Sequence, residues 1–189
     1  MVAFVAALLA QASDRTPWLT AILSTRFAQS GSRGPGAVIL GTAIALALIN
    51  TIGAIGGAII GPHITPNAQS LLLALALVSA GGSALVAIKP PNPLSSWRIG
   101  AFMTSLLGVA ILGLGDRTQF ITAALAARSP APALAAVGAT LGALVVNVPA
   151  ILAGEQARKT LPLAAVRITI GILFLGTGAL VGFSALRLI

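Results

Sequence analysis

The chain has 189 residues, of which 57% are hydrophobic and only 7% are charged. Soluble domains carry about 25% charged residues, so this composition excludes an ordinary soluble protein and predicts an integral membrane protein. The formal net charge is +8, but the basic residues are scattered singly between apolar runs, which argues against nucleic-acid binding. Their expected partner is the lipid bilayer with its anionic head groups. The chain has no cysteine, so it has no disulfides or thiolate metal sites.

Apolar runs of membrane-spanning length predict an all-α membrane protein with six transmembrane helices. A membrane span needs roughly 20 residues, and an aromatic content of only 4% argues against a lipid-facing β-barrel. The expected spans cover residues 2–27, 36–60, 68–88, 98–127, 133–153 and 163–186. Pro17 lies inside the first of these segments and predicts a kink or break there, because proline removes a backbone hydrogen bond.

The second half of the chain repeats the first. The triplet Asp14-Arg15-Thr16 aligns with Asp116-Arg117-Thr118, and Asn50 aligns with Asn147. With three spans per copy, the two halves must enter the membrane in opposite senses. We therefore predict inverted repeats, residues 1–88 and 98–189, joined by a proline-rich connector at 89–97. Inverted repeats place a transport site near the midplane, where the halves meet.

Basic residues in the predicted connectors indicate the orientation of the chain. One side would hold Arg26, Arg33, Lys89, Arg98, Arg158, Lys159 and Arg167, and the other side His63, Arg128 and Arg187. Basic residues favour the cytoplasmic side, so we predict that both termini lie outside the cytoplasm, in a bacterial inner membrane. Glu155 is expected to form a solvated pair with Arg158, and His63 is expected at the surface.

Two acidic residues define the candidate site. The chain contains only three, and two of them, Asp14 and Asp116, lie in the repeated triplets at predicted membrane depth. Ionisable groups are costly there and usually mark a pathway or binding site. We predict that the two aspartates face each other and bind a cation and a proton in turn. No nucleophile and base combination, phosphate loop or cofactor motif indicates an enzyme or a permanently bound cofactor.

Polar residues near the triplets are further candidates for lining the site. They are Gln11, Thr16, Thr118, Asn50 and Asn147. Gln11 lies three residues before Asp14 and is expected on the same helical face. The two asparagines are equally suited to hydrogen bonds between helices. Arg15 and Arg117 are expected to be charge partners of the aspartates or to reach lipid head groups.

The repeated triplet and the run Gly115 to Gln119 resemble the Gdt-type, or transmembrane-protein-165, family of cation exchangers. Its signature is two copies of Glu-x-Gly-Asp-(Lys/Arg)-(Thr/Ser). The resemblance implies exchange of Mn²⁺ or Ca²⁺ against protons, with Asp14 and Asp116 as ligands of the transported metal. Both motif glutamates are replaced here, by Gln11 and Gly113. Hard divalent ions prefer several carboxylate oxygens, so this site should bind them more weakly.

Other interpretations stay open. The aspartates and arginines could hold helices together in a membrane protein that transports nothing, although buried ion pairs are weak stabilising devices. The chain could also export small organic cations or amino acids. The identity of the ion, the direction of flux, the proton stoichiometry and the formation of a homo-oligomer are left open by the sequence.

Overall fold

A computed structural model describes residues 1–29, 34–87, 89–154 and 163–188 of the chain. These residues form eight α-helices and no strand. The helices are α1 (Val2–Ala12), α2 (Thr16–Gln29), α3 (Gly34–Ile60), α4 (Pro66–Leu85), α5 (Gly100–Gly113), α6 (Arg117–Ala127), α7 (Pro132–Ala153) and α8 (Leu163–Ala185). A 3-10 turn, Gly61–His63, joins α3 to α4. The all-α prediction is confirmed.

Four of these helices are long and apolar enough to cross a bilayer, namely α3, α4, α7 and α8. The helices α1 and α5 are apolar but have only 11 and 14 residues. The arrangement of six spans as inverted repeats stays a prediction. The third predicted span ends at Leu85, while its last residue, Ile88, lies outside the described residues, as does the expected pair of Glu155 and Arg158.

Two predicted spans are interrupted rather than continuous. Residues 2–27 divide into α1 and α2 at 13–15, and residues 98–127 divide into α5 and α6 at 114–116. The first break was expected from Pro17, which lies in the first turn of α2, where proline is tolerated. No break was predicted in the span over 98–127. The break found there contains Gly115 with φ +77, a left-handed conformation that glycine adopts without strain.

Equivalent helices of the two halves make equivalent contacts. The helix α1 packs against α7 and α6, while α5 packs against α3 and α2. In the centre α3 packs against α7, and α4 packs against α8 beside them. A Cβ atom at Gly41 would overlap the Phe102 carbonyl, and one at Gly142 would overlap the Phe4 carbonyl. Gly41 thus lets α3 approach α5 closely, and Gly142 lets α7 approach α1 closely.

The outer surface is apolar and the centre is polar. Large apolar side chains such as Ile111, Leu75 and Leu134 are exposed. The buried polar side chains include Gln11, Thr16, Thr20, Asn50, Thr118, Thr122 and Asn147. Lipid is as apolar as these outward side chains, so helix association in a membrane depends on close packing and interhelical hydrogen bonds. The buried polar residues therefore mark the contact region between the halves.

Candidate cation site

The two helix breaks meet at a cavity of about 250 Å³. Its wall includes Asp14, Arg15, Asp116 and Arg117, together with Ser83 from the last turn of α4. The structure thus brings both predicted aspartates and both arginines to one hollow. Three apolar residues at the end of α4 and the end of α5 complete part of this wall: Val86, Ala87 and Leu112.

Each aspartate caps the helix that follows its break. The Oδ2 atom of Asp14 accepts hydrogen bonds from the Thr16 hydroxyl at 2.7 Å and the Thr16 amide at 3.4 Å. The Oδ2 atom of Asp116 accepts one from the Thr118 amide at 3.2 Å. Side-chain oxygens at this position satisfy free backbone N–H groups, and the partial positive charge of a helix N-terminus stabilises the carboxylate. The sequence triplet is therefore a capping motif in both copies.

One ion pair crosses between the two halves. The Nη2 atom of Arg117 lies 3.1 Å from Oδ1 of Asp14 and also donates to the Ser13 carbonyl at 2.6 Å. Its Nη1 atom donates to the Ser83 hydroxyl at 3.3 Å. Both charged side chains are largely buried, with 8% of Arg117 and 10% of Asp14 exposed. Arg117 is thus a charge partner of the aspartate in the other half.

Arg15 behaves differently from its equivalent in the second half. Arg15 is exposed and lines the cavity, and within the described ranges it forms no ion pair with an acidic group. The sequence left two expectations for the arginines, pairing with an aspartate or reaching lipid head groups; Arg117 pairs with Asp14, and the second expectation stays a prediction for Arg15. The difference arises because Arg117 reaches Ser13 and Asp14 from the opposite half, so the two copies of the triplet are not in the same state.

Gln11 is close to the site but lies outside the cavity wall. It is 2% exposed, donates from Nε2 to the Thr118 hydroxyl at 3.3 Å and accepts at Oε1 from Asn147 Nδ2 at 3.0 Å. The expectation that Gln11 shares a helical face with Asp14 is wrong, because α1 ends at Ala12. Gln11 instead links the first half to the motif threonine and the second-helix asparagine of the other half.

Asn50 and Asn147 also form hydrogen bonds between helices. The Thr20 hydroxyl donates to Asn147 Oδ1 at 3.4 Å, and the Thr122 hydroxyl donates to Asn50 Oδ1 at 3.3 Å. Asn50 Nδ2 donates in turn to the Thr140 hydroxyl at 3.3 Å. Neither asparagine belongs to the cavity wall. Their observed contacts match the alternative in which they hold helices together.

Sequence reasoning missed the threonines that these asparagines bind. Thr20 and Thr122 each follow the motif threonine by four residues, which is one helical turn, in both copies of the repeat. Each is 0% or 1% exposed. A repeated Thr-x-x-x-Thr pattern inside an apolar segment was the available signal, since side chains four residues apart lie on one face of a helix.

The charge of the site is balanced. Two aspartates and two arginines meet at the cavity, which gives no formal net charge. Among the residues that the structure describes, no three His, Cys, Asp or Glu side chains come together as a metal-binding group. The side-chain oxygen atoms in the cavity wall are those of the two carboxylates and the Ser83 hydroxyl. These are ligands that hard cations accept.

Broken helices whose capped N-termini meet at a charged cavity, inside a bundle with an apolar exterior, define a multi-pass membrane transport protein. The chain belongs to the family described as "Divalent cation/proton antiporter GDT1", whose sequence profile matches residues 1–91 and 101–188. The resemblance drawn from the triplets is confirmed. The protein is accordingly a cation transporter and not an enzyme.

A relative supports the same assignment. A protein from Vibrio cholerae serotype O1, named "Putative manganese exporter", is 28% identical over 169 residues, which cover 88% of this chain and 82% of the relative. No solved structure matches the chain.

Proposed function

We propose that this protein exports Mn²⁺ across a bacterial inner membrane in exchange for protons. The family supports a divalent cation and a proton as the two substrates, and the name of the Vibrio cholerae relative favours manganese over calcium. The direction is proposed from the same name. Both substrates would use the cavity at the two helix breaks.

The observation that carries the proposal is the meeting of one aspartate from each half at this cavity. Each helix cap uses only the Oδ2 oxygen. Among the described residues Asp116 forms no ion pair. Its carboxylate is therefore available as a ligand for Mn²⁺, and a proton would bind at the same carboxylate. A cation and a proton that compete for the same carboxylates are exchanged rather than carried together.

The helix arrangement supports alternating access by two inverted repeats. The helices α1 and α2, with 11 and 14 residues, are together long enough to cross a bilayer. The same holds for α5 and α6, with 14 and 11 residues. Six spans would result, with both termini outside the cytoplasm. The equivalent contacts made by the two halves are what a pseudo-twofold relation between repeats requires.

The site should bind divalent ions weakly for a member of this family. The first motif glutamate is replaced by Gln11, whose amide is engaged with Thr118 and Asn147. The second is replaced by Gly113. Arg117 further neutralises Asp14. We propose that this transporter works at higher cation concentrations than relatives that keep both glutamates, because it offers fewer negative charges to the ion.

A second candidate function is helix assembly without transport. The observation that favours it is the ion pair of Asp14 and Arg117, which joins the two halves directly. A buried ion pair contributes little net stability, because the cost of desolvating the two charges offsets their attraction. This function requires no exchange of partners by either aspartate.

Flux measurements separate the two functions. Purified protein is reconstituted into proteoliposomes, and Mn²⁺ and Ca²⁺ fluxes are recorded with an imposed proton gradient. Exchange should depend on the gradient and be lost in Asp116→Asn. Asparagine caps helices about as well as aspartate, so this change removes the charge and keeps the cap. The acid-retaining variant Asp116→Glu is the matched control. Gradient-driven flux that persists in Asp116→Asn refutes the proposal, and a folded wild-type protein without flux favours assembly.

A further inference from the structure

The guanidinium group of Arg117 lies where the proposed function requires a cation. Its Nη2 atom is 3.1 Å from Oδ1 of Asp14, the oxygen that is not used to cap α2. This places a positive charge in direct contact with one of the two carboxylates of the cavity.

The contacts of Arg117 hold the guanidinium at this carboxylate. Nη2 also donates to the Ser13 carbonyl, and Nη1 donates to the Ser83 hydroxyl. All three partners belong to the first half of the chain, while Arg117 belongs to the second. The Nε atom is buried without a hydrogen-bond partner. The guanidinium is therefore oriented by its two terminal nitrogens, while Nε has no acceptor.

We propose that Arg117 is a tethered cation that competes with the transported ion for Asp14 and thereby sets the affinity of the site. This inference rests on the proposed function, since it concerns the same cavity. A divalent ion can bind both aspartates only after the guanidinium has left Oδ1 of Asp14. The free energy needed to displace it is subtracted from the affinity for the ion.

The equivalent arginine provides a comparison within the chain. Arg15 occupies the same position in the first triplet and also lines the cavity, but it is exposed and has no acidic partner within the described ranges. The competition is thus one-sided. Asp116 is the aspartate that is open to the ion, and Asp14 becomes available only when Arg117 moves.

Direct binding measurements test this competition. Mn²⁺ is added to the purified full chain in detergent, and the free ion is counted by electron paramagnetic resonance. The variant Arg117→Gln removes a unit charge in contact with Asp14, and at an effective dielectric of about 20 this should lower the dissociation constant about tenfold or more. The matched control Arg128→Gln removes the same charge at the C-terminal end of α6, and it should leave the constant unchanged.

A second variant protects the test against misfolding. Arg117→Lys keeps the charge but loses the planar fork that engages two acceptors together, so it should compete less well. Its dissociation constant is expected to lie between those of the wild type and Arg117→Gln. If Arg117→Gln does not fold, as judged by its thermal midpoint, Arg117→Lys decides: tighter binding supports competition, and unchanged binding overturns it.

A double variant shows whether Arg117 acts through Asp14. In an Asp14→Asn background the guanidinium no longer holds a carboxylate that the ion needs, so the gain from Arg117→Gln should shrink to the part that the field of the guanidinium supplies. A gain as large as in the wild-type background overturns the inference, because the arginine would then act through its field alone. Proteoliposome flux keeps the two proposals apart. Wild-type exchange with no gain in Arg117→Gln overturns the tethered cation only. A wild type without flux, but with tighter Mn²⁺ binding in Arg117→Gln, overturns the transport function only.

Discussion

Restoring the missing motif glutamate in the first repeat should strengthen cation binding. Gln11 is already held by two groups that suit a carboxylate. Asn147 Nδ2 donates to Gln11 Oε1 at 3.0 Å. Gln11 Nε2 donates to the Thr118 hydroxyl. In the glutamate an oxygen replaces Nε2, and the Thr118 hydroxyl can rotate to donate its proton to that oxygen. The substitution Gln11→Glu therefore needs no new space and leaves no buried donor without an acceptor.

The expected gain can be worked out from the hydrogen bonds between Gln11 and the site. Gln11 Nε2 is 3.3 Å from the Thr118 hydroxyl, and the Thr118 amide is 3.2 Å from Asp116 Oδ2. With the length of the threonine between them, the new charge lies roughly 9 Å or less from the carboxylate of Asp116. At an effective dielectric of about 20, such a charge attracts a divalent ion by about 4 kcal/mol, which desolvation of the carboxylate reduces. We expect a dissociation constant lower by about tenfold to a hundredfold.

The second repeat should not accept the same restoration. Gly113 is buried, and a Cβ atom there would lie 2.6 Å from Cδ1 of Ile49. The substitution Gly113→Glu should therefore lower the thermal midpoint, because Ile49 must change rotamer and a carboxylate is added at a buried position. The two variants of one motif position are thus predicted to behave in opposite ways.

Mn²⁺ titration by electron paramagnetic resonance, with thermal unfolding followed by tryptophan fluorescence, measures both effects. Gln69→Glu makes the same chemical change in the first turn of α4, outside the cavity wall, and serves as the matched control. The reasoning is refuted if a folded Gln11→Glu protein binds Mn²⁺ no more tightly than the Gln69→Glu control. It is also refuted if Gly113→Glu gains affinity without loss of stability.

Three other substitutions test the fold around the site. Asn147→Leu removes the hydrogen bonds to Gln11 and Thr20, and it should lower stability by about 1–3 kcal/mol, measured as a shift of the thermal midpoint. Gly115→Ala places a side chain on a residue with φ +77 and should lower the free energy of unfolding by about 1–2 kcal/mol. Gly36→Ala is the control and should be neutral, because nothing lies within 4 Å of its Cβ position. Equal thermal midpoints for the two variants would contradict this prediction. Arg26→Gln removes donors to the carbonyls of the connector, including 2.7 Å bonds to Leu94 and Trp97, so limited proteolysis should cut residues 89–99 faster.

The sequence predicted the long helices well because each is a uniform apolar run between proline-containing or glycine-containing turns. The predicted span 133–153 differs from α7, Pro132–Ala153, by one residue at its start. The breaks were harder to predict. Pro17 predicted the first break. The second depends on the left-handed backbone of Gly115, which the sequence does not indicate, because a glycine in an apolar run is equally compatible with close helix packing.

Only the site residues that lie in the repeated triplets could be predicted from the sequence. Duplicated triplets pointed to Asp14 and Asp116, and both line the cavity. An ion pair between the halves was one of the alternatives, but the sequence could not indicate which arginine forms it, because this depends on how the halves pack and not on the spacing within either triplet. Gln11 was placed incorrectly because the end of α1 at Ala12 interrupts the helical register assumed between it and Asp14.

The two oxygens of the Asp14 carboxylate have separate partners, so one partner can change without disturbing the other. Oδ2 is fastened to Thr16 of its own segment, while Oδ1 faces a group from elsewhere in the chain. A cation that binds at Oδ1 can therefore replace Arg117 without unwinding the first turn of α2. The hydrogen bonds that Oδ2 accepts from Thr16 can therefore persist while the partner of Oδ1 changes.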